Sequence, residues 1–228
     1  MMRNKFTRKT KKWLKATLLT GAVTAFVAFV LVVVMILANY VQEEETNSIP
    51  NNLTESVVSY QPLIERHLKE MGKEAYTAVI MALMMQESGG RGNDPMQASE
   101  SYCGEIGCIS DPEVSIDKGI DYFVNVLEKT DGDVKLALQS YNFGEGFIDY
   151  VKENGGSYTQ VLAIAFSKLK YEELKDTGDY SCIRTEAEAY DACYGDIYYV
   201  DAVMSYYPSA LAKTSETVQV AQIGLETN

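Results

Sequence analysis

Apolar residues recur three and four positions apart in several stretches of the chain, which is the spacing of helices that bury one face. In one stretch Val79, Ile80, Leu83 and Met84 share such a face, shortly before Glu87. Similar stripes predict further helices within residues 57–71, 116–127, 133–141, 158–169 and 197–207. Because no run alternates between apolar and polar positions, we expect a mainly α fold, of the α+β kind with minimal strand.

The same pattern predicts local roles for a few residues. Ser115 is expected to cap the helix that follows it, and Pro208 is expected to end the last helix. His67, the single histidine, falls on an apolar stripe and is interpreted as a packed residue rather than a catalytic one. Residues 88–113 are rich in Gly, Ser and Asp, and so long an irregular segment is expected to carry a function or short strands.

A stretch without charged residues, 16–38, precedes the predicted globular part. Its 23 residues would form a helix of roughly 35 Å, enough to cross a hydrocarbon core of ~30 Å. Seven basic residues lie before it and Glu43, Glu44 and Glu45 follow it, so the positive-inside rule predicts a cytoplasmic N-terminus. A cleaved signal peptide is the alternative, but its apolar region would normally be only ~7–15 residues.

The chain is therefore expected to have five parts. Residues 1–15 form a cytoplasmic basic tail, 16–38 a transmembrane signal anchor, 39–52 a polar spacer, 53–207 a single globular domain, and 208–228 a polar C-terminal tail. This arrangement places the globular domain outside the cell, attached to the membrane by one span.

The charge of the exported part limits its partners. The chain has 20 basic and 32 acidic residues, for a net charge of −12. Seven of the basic residues and none of the acidic ones precede Glu43, so the remainder is net −19. Because nucleic-acid binding depends on Lys and Arg that neutralise phosphates, we expect no nucleic-acid partner.

Four cysteines lie in the part predicted to be exported, where disulfides persist. Cys103 and Cys108 bracket a Gly-containing turn, and Cys182 and Cys193 bracket a second short segment. Of the three possible pairings we predict these two local bridges; free thiols are the alternative. Spacings of five and eleven with one distant histidine suit a zinc site poorly, so no metal or cofactor is expected.

Glu87 is the candidate catalytic residue. It follows Leu83 by four positions, so it points toward the core, where burial would raise the pKa of its carboxyl group. Gly89 and Gly90 are expected to end the helix in the left-handed conformation that glycine adopts easily. A Glu that turns out to solvent in the last helical turn is the alternative. A buried carboxyl at such a place is typical of a general acid.

Three blocks occur in order: Glu87-Ser88, then Asp94 to Ser99, then Tyr141 to Gly144. Together they resemble the lysozyme-like superfamily of goose-type lysozymes and soluble lytic transglycosylases, in particular the muramidase domain of CwlT-like cell-wall hydrolases of conjugative elements. The resemblance covers residues 53–207. It implies that Glu87 is the catalytic acid and Asp94 an essential second carboxylate. It also implies sugar-contacting or loop-ordering roles for Gln97, Ser99, Tyr141 and Asn142.

The activity that this resemblance implies is hydrolysis of the bond between N-acetylmuramic acid and N-acetylglucosamine in peptidoglycan. Glycosidases of this kind use two carboxyl groups, ~5 Å or ~6.5–9.5 Å apart. Asp94 lies in a polar loop and would stay ionised, although an Asp before Pro95 is also a common start of a turn. Two alternatives stay open: a lytic transglycosylase that forms anhydromuramic ends with Glu87 alone, and a non-catalytic wall-binding or channel-assembly module.

The resemblance also implies partners and a setting. CwlT-like enzymes continue into a Cys-His peptidase domain of the NlpC/P60 type, which this chain is not expected to supply because His67 is its one histidine. The expected partners are peptidoglycan glycan strands, the membrane and proteins of a conjugation channel. The expected location is the cell membrane, with the catalytic domain facing the wall that is opened locally during conjugation.

Overall fold

The computed structural model describes residues 51–226 and, before them, only Val30, Val33 and Met35. Residues 51–226 form helices joined by turns and loops, without a strand among them. The mainly α fold is therefore confirmed for these residues, whereas the minimal strand of an α+β fold is wrong, and of the two alternatives for residues 88–113 short strands are excluded. In that segment the side chains of Ser88 and Asp94 accept hydrogen bonds from backbone N–H groups nearby in the chain. These N–H groups therefore need no hydrogen-bond partner on a neighbouring strand.

The helices follow one another along the chain with the bounds α1 Glu55–Ser59, α2 Gln61–Glu70, α3 Thr77–Glu87, α4 Ser99–Cys103, α5 Pro112–Lys129, α6 Val134–Phe143, α7 Gly146–Glu153, α8 Gln160–Leu174, α9 Thr185–Glu188 and α10 Tyr199–Glu226. Single 3-10 turns precede α3 at Glu74–Tyr76 and follow α8 at Lys175–Thr177.

Helix α3 is the centre of the main core. Each residue from Thr77 to Met84 is buried, so the helix is enclosed on all sides rather than on the one face that its spacing predicts. It packs against α1, α2 and α10. A helix that is apolar around its whole circumference is typical of a core helix. Glu87, its last residue, therefore lies at the edge of the core.

A second cluster of buried side chains joins helices α6, α7 and α8. Its centre is aromatic: Phe143 contacts both Phe147 and Phe166, with ring centroids 5.3 and 5.6 Å apart. Tyr194 packs against Phe143 and Phe166 from the segment before α10. This cluster supports the C-terminal end of α6, where Tyr141 and Asn142 lie.

Short polar side chains cap several helices. The side chains of Thr54, Asp111, Asp133 and Thr159 each accept a hydrogen bond from the backbone in the first turn of the helix that follows. The cap predicted at Ser115 is wrong, because α5 already starts at Pro112 behind Asp111. Proline is favoured in the first turn of a helix, because the N–H that it lacks would have no hydrogen-bond partner within the helix there.

Helix α10 does not end at Pro208 as the sequence predicts. It continues to Glu226 with Pro208 inside it. The buried residues Val203 and Ala210 lie on either side of the proline, which is itself exposed. We infer that packing of this helix against α3 offsets the helical hydrogen bond that proline cannot donate.

His67 lies between two carboxylates rather than among apolar side chains. Its Nδ1 is 3.3 Å from Asp117 and its Nε2 is 3.0 Å from Asp121. Its side chain is 20% exposed. The interpretation of His67 as a packed core residue is corrected accordingly: it ties the polar edge of α2 to α5.

Both predicted disulfides are present. One joins Cys103 to Cys108 and the other joins Cys182 to Cys193, with Cα atoms 6.8 and 4.1 Å apart. The first starts at the last residue of α4, and the second closes the loop that contains α9.

Most of the predicted anchor at 16–38 and most of the spacer at 39–52 lie outside the described residues. Within the part of the chain that is described, none of the helices combines the length and the apolar character needed to cross a membrane.

Candidate active site

Glu87 meets a buried tyrosine at the end of α3. The hydroxyl of Tyr199, the first residue of α10, donates a hydrogen bond to Oε1 of Glu87. Burial raises the pKa of Glu87 to about 7; the Tyr199 bond opposes this rise and the charge of Asp94 adds to it. Glu87 is therefore about half protonated near neutral pH, which suits a group that donates a proton.

Tyr199 was not singled out by the sequence. It is 2% exposed, and burial together with the charge of Glu87 raises its pKa well above the usual range. Its hydroxyl thus keeps the proton that it donates. Tyr199 precedes Val203 by four positions and so belongs to the buried stripe of α10. Its pairing with Glu87 could not be predicted, because the two residues are 112 positions apart in the chain.

The loop after Glu87 is pinned to the core by side chains. The hydroxyl of Ser88 donates to the carbonyl of Pro95 at 2.7 Å and accepts from the backbone N–H of Gly90. The hydroxyl of Tyr141 donates to the carbonyl of Met96 at 2.9 Å. Gly89 has φ +65°, as its predicted role at the helix end requires. The loop therefore has a fixed position relative to Glu87.

Asp94 is the centre of this loop. Its Oδ1 accepts hydrogen bonds from the Ala98 N–H at 2.8 Å and the Ser115 hydroxyl at 2.6 Å. Its Oδ2 accepts from the N–H and the hydroxyl of Ser99, at 3.0 and 2.6 Å. Burial alone would raise the pKa of Asp94, but these four bonds hold it below its ordinary value. They also occupy the ~four acceptor directions that a carboxylate offers.

Ser115 and Gly119 bring α5 against the loop. Ser115 is fully buried, and besides donating to Asp94 it accepts the Met96 N–H at 3.0 Å. A Cβ at Gly119 would lie 2.5 Å from the Cβ of Met96, so only glycine permits this approach. The sequence hides the role of Ser115, because a serine near a predicted helix start is interpreted first as a cap.

Replacing Ser115 with Ala is expected to destabilise the fold by about 1–3 kcal/mol, because it leaves the buried Met96 N–H without an acceptor. Chemical denaturation measures the effect. Ser59→Ala is the matched control: Ser59 is exposed and bonds only the carbonyl of Ser56. Equal midpoints for Ser115→Ala and the unchanged protein would contradict the role given to Ser115.

The sequence also predicted site roles for Ser99, Gln97, Tyr141 and Asn142. Ser99 is 3% exposed and bonds Asp94, so its place fits ordering of the loop rather than contact with a ligand. Gln97 is exposed, and its side chain donates to the Asp94 carbonyl. Asn142 accepts the Asp196 N–H at 2.8 Å through Oδ1. Tyr141, Asn142 and Gln97 all face one cleft.

That cleft has a volume of about 410 Å³. Of its lining residues, Tyr141 is close enough to Glu87 and Asp94 for their charges to raise the pKa of its hydroxyl, together with burial. Its lining is made of Gln97, Glu100, Ser101, Tyr122, the stretch from Tyr141 to Gly144, Tyr180, Tyr194 and Gly195. Tyrosines and amides dominate it, and neither Lys nor Arg contributes. Such a surface suits a neutral ligand rich in hydroxyl groups.

These features combine into a site for acid catalysis. A carboxyl group with a raised pKa at Glu87 accepts a hydrogen bond from a tyrosine, a negative charge lies near it at Asp94, and Tyr141 lines a polar cleft. Among residues 51–226 no group of three or more His, Cys, Asp or Glu side chains is placed to hold a metal ion.

Comparison with known proteins identifies the family of the chain. Residues 54–207 match the family model described as lysozyme-like. The chain is 44% identical over 150 residues to the bifunctional muramidase/DL-endopeptidase CwlT of Bacillus subtilis, covering 66% of this chain and 41% of CwlT. It is 37% identical over 173 residues to the membrane protein YocA of the same organism, covering 74% of each.

A solved structure shares the fold. A crystal structure from Staphylococcus aureus, described as similar to a lipoprotein of the NLP/P60 family, superimposes with a TM-score of 0.58 and 35% identity over 68% of this chain and 54% of that one. This chain thus spans less than two thirds of the length of that protein and of CwlT. With a family model that matches residues 54–207 and relatives above 30% identity, the chain belongs to the lysozyme-like family.

Proposed function

We propose that this chain is an N-acetylmuramidase that cleaves the glycan strand of peptidoglycan between N-acetylmuramic acid and N-acetylglucosamine. The observation that carries the proposal is the carboxyl of Glu87, whose pKa burial raises to about 7, close to Tyr141 in the wall of a polar cleft. The similarity to CwlT, a muramidase by name, supports the choice of substrate.

Glu87 performs the first step of the proposed reaction. It transfers its proton to the glycosidic oxygen while the bond between that oxygen and the anomeric carbon breaks. Positive charge then builds on the sugar ring, and the fixed charge of Asp94 stabilises it electrostatically. The Glu87 carboxylate next takes a proton from the hydroxyl that attacks the anomeric carbon, which restores the acid for another cycle.

The identity of the attacking hydroxyl decides between two products. Water gives a reducing-end N-acetylmuramic acid, as in a hydrolase. The C6 hydroxyl of the muramic acid itself gives an anhydromuramic end, as in a lytic transglycosylase. This second candidate is favoured by one observation: all four acceptor directions of Asp94 are occupied, so Asp94 has no free lone pair to activate a water molecule.

Digestion of purified peptidoglycan by the full chain, followed by mass spectrometry of the soluble fragments, tests the proposal. Reducing-end muramic acid supports the hydrolase, and fragments lighter by one water support the transglycosylase. If neither product is released and wall fragments still bind, the chain is a wall-binding module and not an enzyme.

Tyr199→Phe is expected to move the pH dependence of cleavage to higher pH. A general acid must be protonated, so the rate falls as pH rises through the pKa of Glu87. The Tyr199 bond lowers that pKa, and its loss raises it. We expect the midpoint of the fall to rise, with a loss of maximal rate of about tenfold or less. Tyr206→Phe, on the same helix, is the control; equal midpoints in all three proteins would contradict the contact.

The charge-free stretch and the basic residues before it support a location of this activity at the cell membrane. Residues 16–38 serve as a single-pass anchor with a cytoplasmic N-terminus, and the similarity to the membrane protein YocA supports this proposal. The domain then faces the wall, where the resemblance to enzymes of conjugative elements suggests local opening for a transfer channel. Extraction of membranes with alkaline carbonate tests the anchor, since release of the intact chain would contradict it.

A further inference from the structure

The wall of the cleft away from Glu87 contains a feature that the proposed reaction does not use. We propose that Tyr180 and Tyr194 form a saccharide-stacking subsite and that the Cys182–Cys193 disulfide assembles it. The ligand is an N-acetylhexosamine unit of the glycan strand other than the one that is protonated. The choice of this ligand rests on the proposed function.

Tyr180 and Tyr194 form one of two tyrosine pairs that line the cleft. Their ring centroids are 5.1 Å apart with planes 37° apart, and both residues face the cleft. The other pair, Tyr122 and Tyr141, has centroids 5.3 Å apart and adjoins Glu87 through Tyr141. The cleft is thus bordered by aromatic rings both near the acid and farther from it.

The two rings of the proposed subsite are held in different ways. Tyr194 is fixed by the protein interior: its hydroxyl donates to the Phe143 carbonyl at 3.1 Å and its backbone N–H donates to Ser167 at 3.1 Å. Among the aromatic pairs of the described residues, the ring of Tyr180 contacts only the ring of Tyr194. It lies two residues before Cys182, and Tyr194 lies one residue after Cys193.

The disulfide therefore brings together two rings that are 14 positions apart in the chain. The Cys182–Cys193 bond is the covalent link that ties the segment carrying Tyr180 to the segment carrying Tyr194. An ion pair on the same loop supports the arrangement, since Arg184 bonds both carboxylate oxygens of the buried Asp196. Asp196 in turn donates its N–H to Asn142 in the cleft wall.

The chemistry of this part of the cleft fits a sugar. The C–H face of a hexose is apolar and packs on flat aromatic rings, which offer a large contact area with little conformational freedom to lose. The amide of Asn142 complements acetamido and hydroxyl groups. Glu100 is the charged residue in the lining, so anionic ligands such as phosphate-rich polymers are disfavoured.

Binding of chitohexaose to the full chain carrying Glu87→Gln tests the subsite in the absence of turnover. Tyr180→Ala is expected to raise the Kd about five- to tenfold, whereas Tyr180→Phe keeps the ring and stays within about twofold. Tyr190→Ala is the matched control: Tyr190 lies on the same loop, is 45% exposed and does not line the cleft. It is expected to leave the Kd unchanged.

The disulfide is tested in the same assay. Cys182→Ser with Cys193→Ser is expected to weaken binding as much as Tyr180→Ala does, and Tyr180→Ala added to it should have little further effect. Tyr180→Ala alone leaves the disulfide intact, so the subsite stays testable even where the cysteine variant fails to fold. Unchanged affinity in Tyr180→Ala, or an equal loss in Tyr190→Ala, would overturn the subsite.

The subsite and the proposed reaction fail separately. Weakened binding in Tyr180→Ala together with an uncut glycan when Glu87 is intact would leave the subsite standing and remove the reaction. Cleavage that depends on Glu87, together with full affinity in Tyr180→Ala, would leave the reaction standing and remove the subsite.

Discussion

Glu87→Gln is expected to lower the rate of glycan cleavage by about 10²–10⁴-fold, the usual contribution of a general acid. The amide has nearly the shape of the protonated carboxyl group and still offers an oxygen to the hydroxyl of Tyr199, but it has no proton to give to the leaving oxygen. Because burial already favours the neutral form of Glu87, the fold should be as stable as before and saccharide affinity should be kept.

The control for this substitution is Glu153→Gln. Glu153 is also the last residue of its helix, α7, but it is exposed. Cleavage is measured as release of soluble fragments from purified wall, and affinity with chitohexaose. A Glu87→Gln protein that keeps a tenth or more of the rate would remove Glu87 as the acid.

Asp94→Asn is expected to have the second largest effect, through the loop. Asparagine has an NH₂ group in place of one carboxylate oxygen, and this group cannot accept hydrogen bonds. Either the bonds from Ser99 to Oδ2 or those from Ala98 and Ser115 to Oδ1 are therefore lost. Loss of such bonds to a charged group costs about 2–4 kcal/mol of stability. Displacement of the loop next to the acid is expected to reduce turnover by roughly a hundredfold.

A change of pH dependence distinguishes this account of Asp94 from a role as base or nucleophile. The negative charge of Asp94 raises the pKa of Glu87, so in Asp94→Asn the fall in rate should occur at lower pH. Asp111→Asn is the control, since Asp111 is exposed and caps α5 with a single bond. Full stability combined with a loss as deep as that of Glu87→Gln would instead make Asp94 a second catalytic carboxylate.

The sequence was sufficient for features that depend on near neighbours. The apolar spacing places Glu87 at the end of a buried helix, and Gly89 adopts the predicted left-handed conformation there. The two disulfides also follow from short spacings, because a local loop brings its ends together without any help from the rest of the fold.

Features that depend on distant parts of the chain were missed. The partner of Glu87 is Tyr199, and the partner of Asp94 is Ser115, on other helices. Nothing in the spacing of one helix identifies the group that will face it from another. Helix α10 passes Pro208 for a related reason: packing against α3 outweighs a local rule that considers proline alone.

The rate of glycan cleavage as a function of pH, measured on purified peptidoglycan from pH 5 to 9, tests whether Glu87 works as a proton donor because its surroundings raise its pKa. We expect the rate to be high in mild acid and to fall with a midpoint near the pKa of Glu87, which is about 7. A rate that stays constant through pH 8, or one lost already between pH 5 and 6, would contradict it.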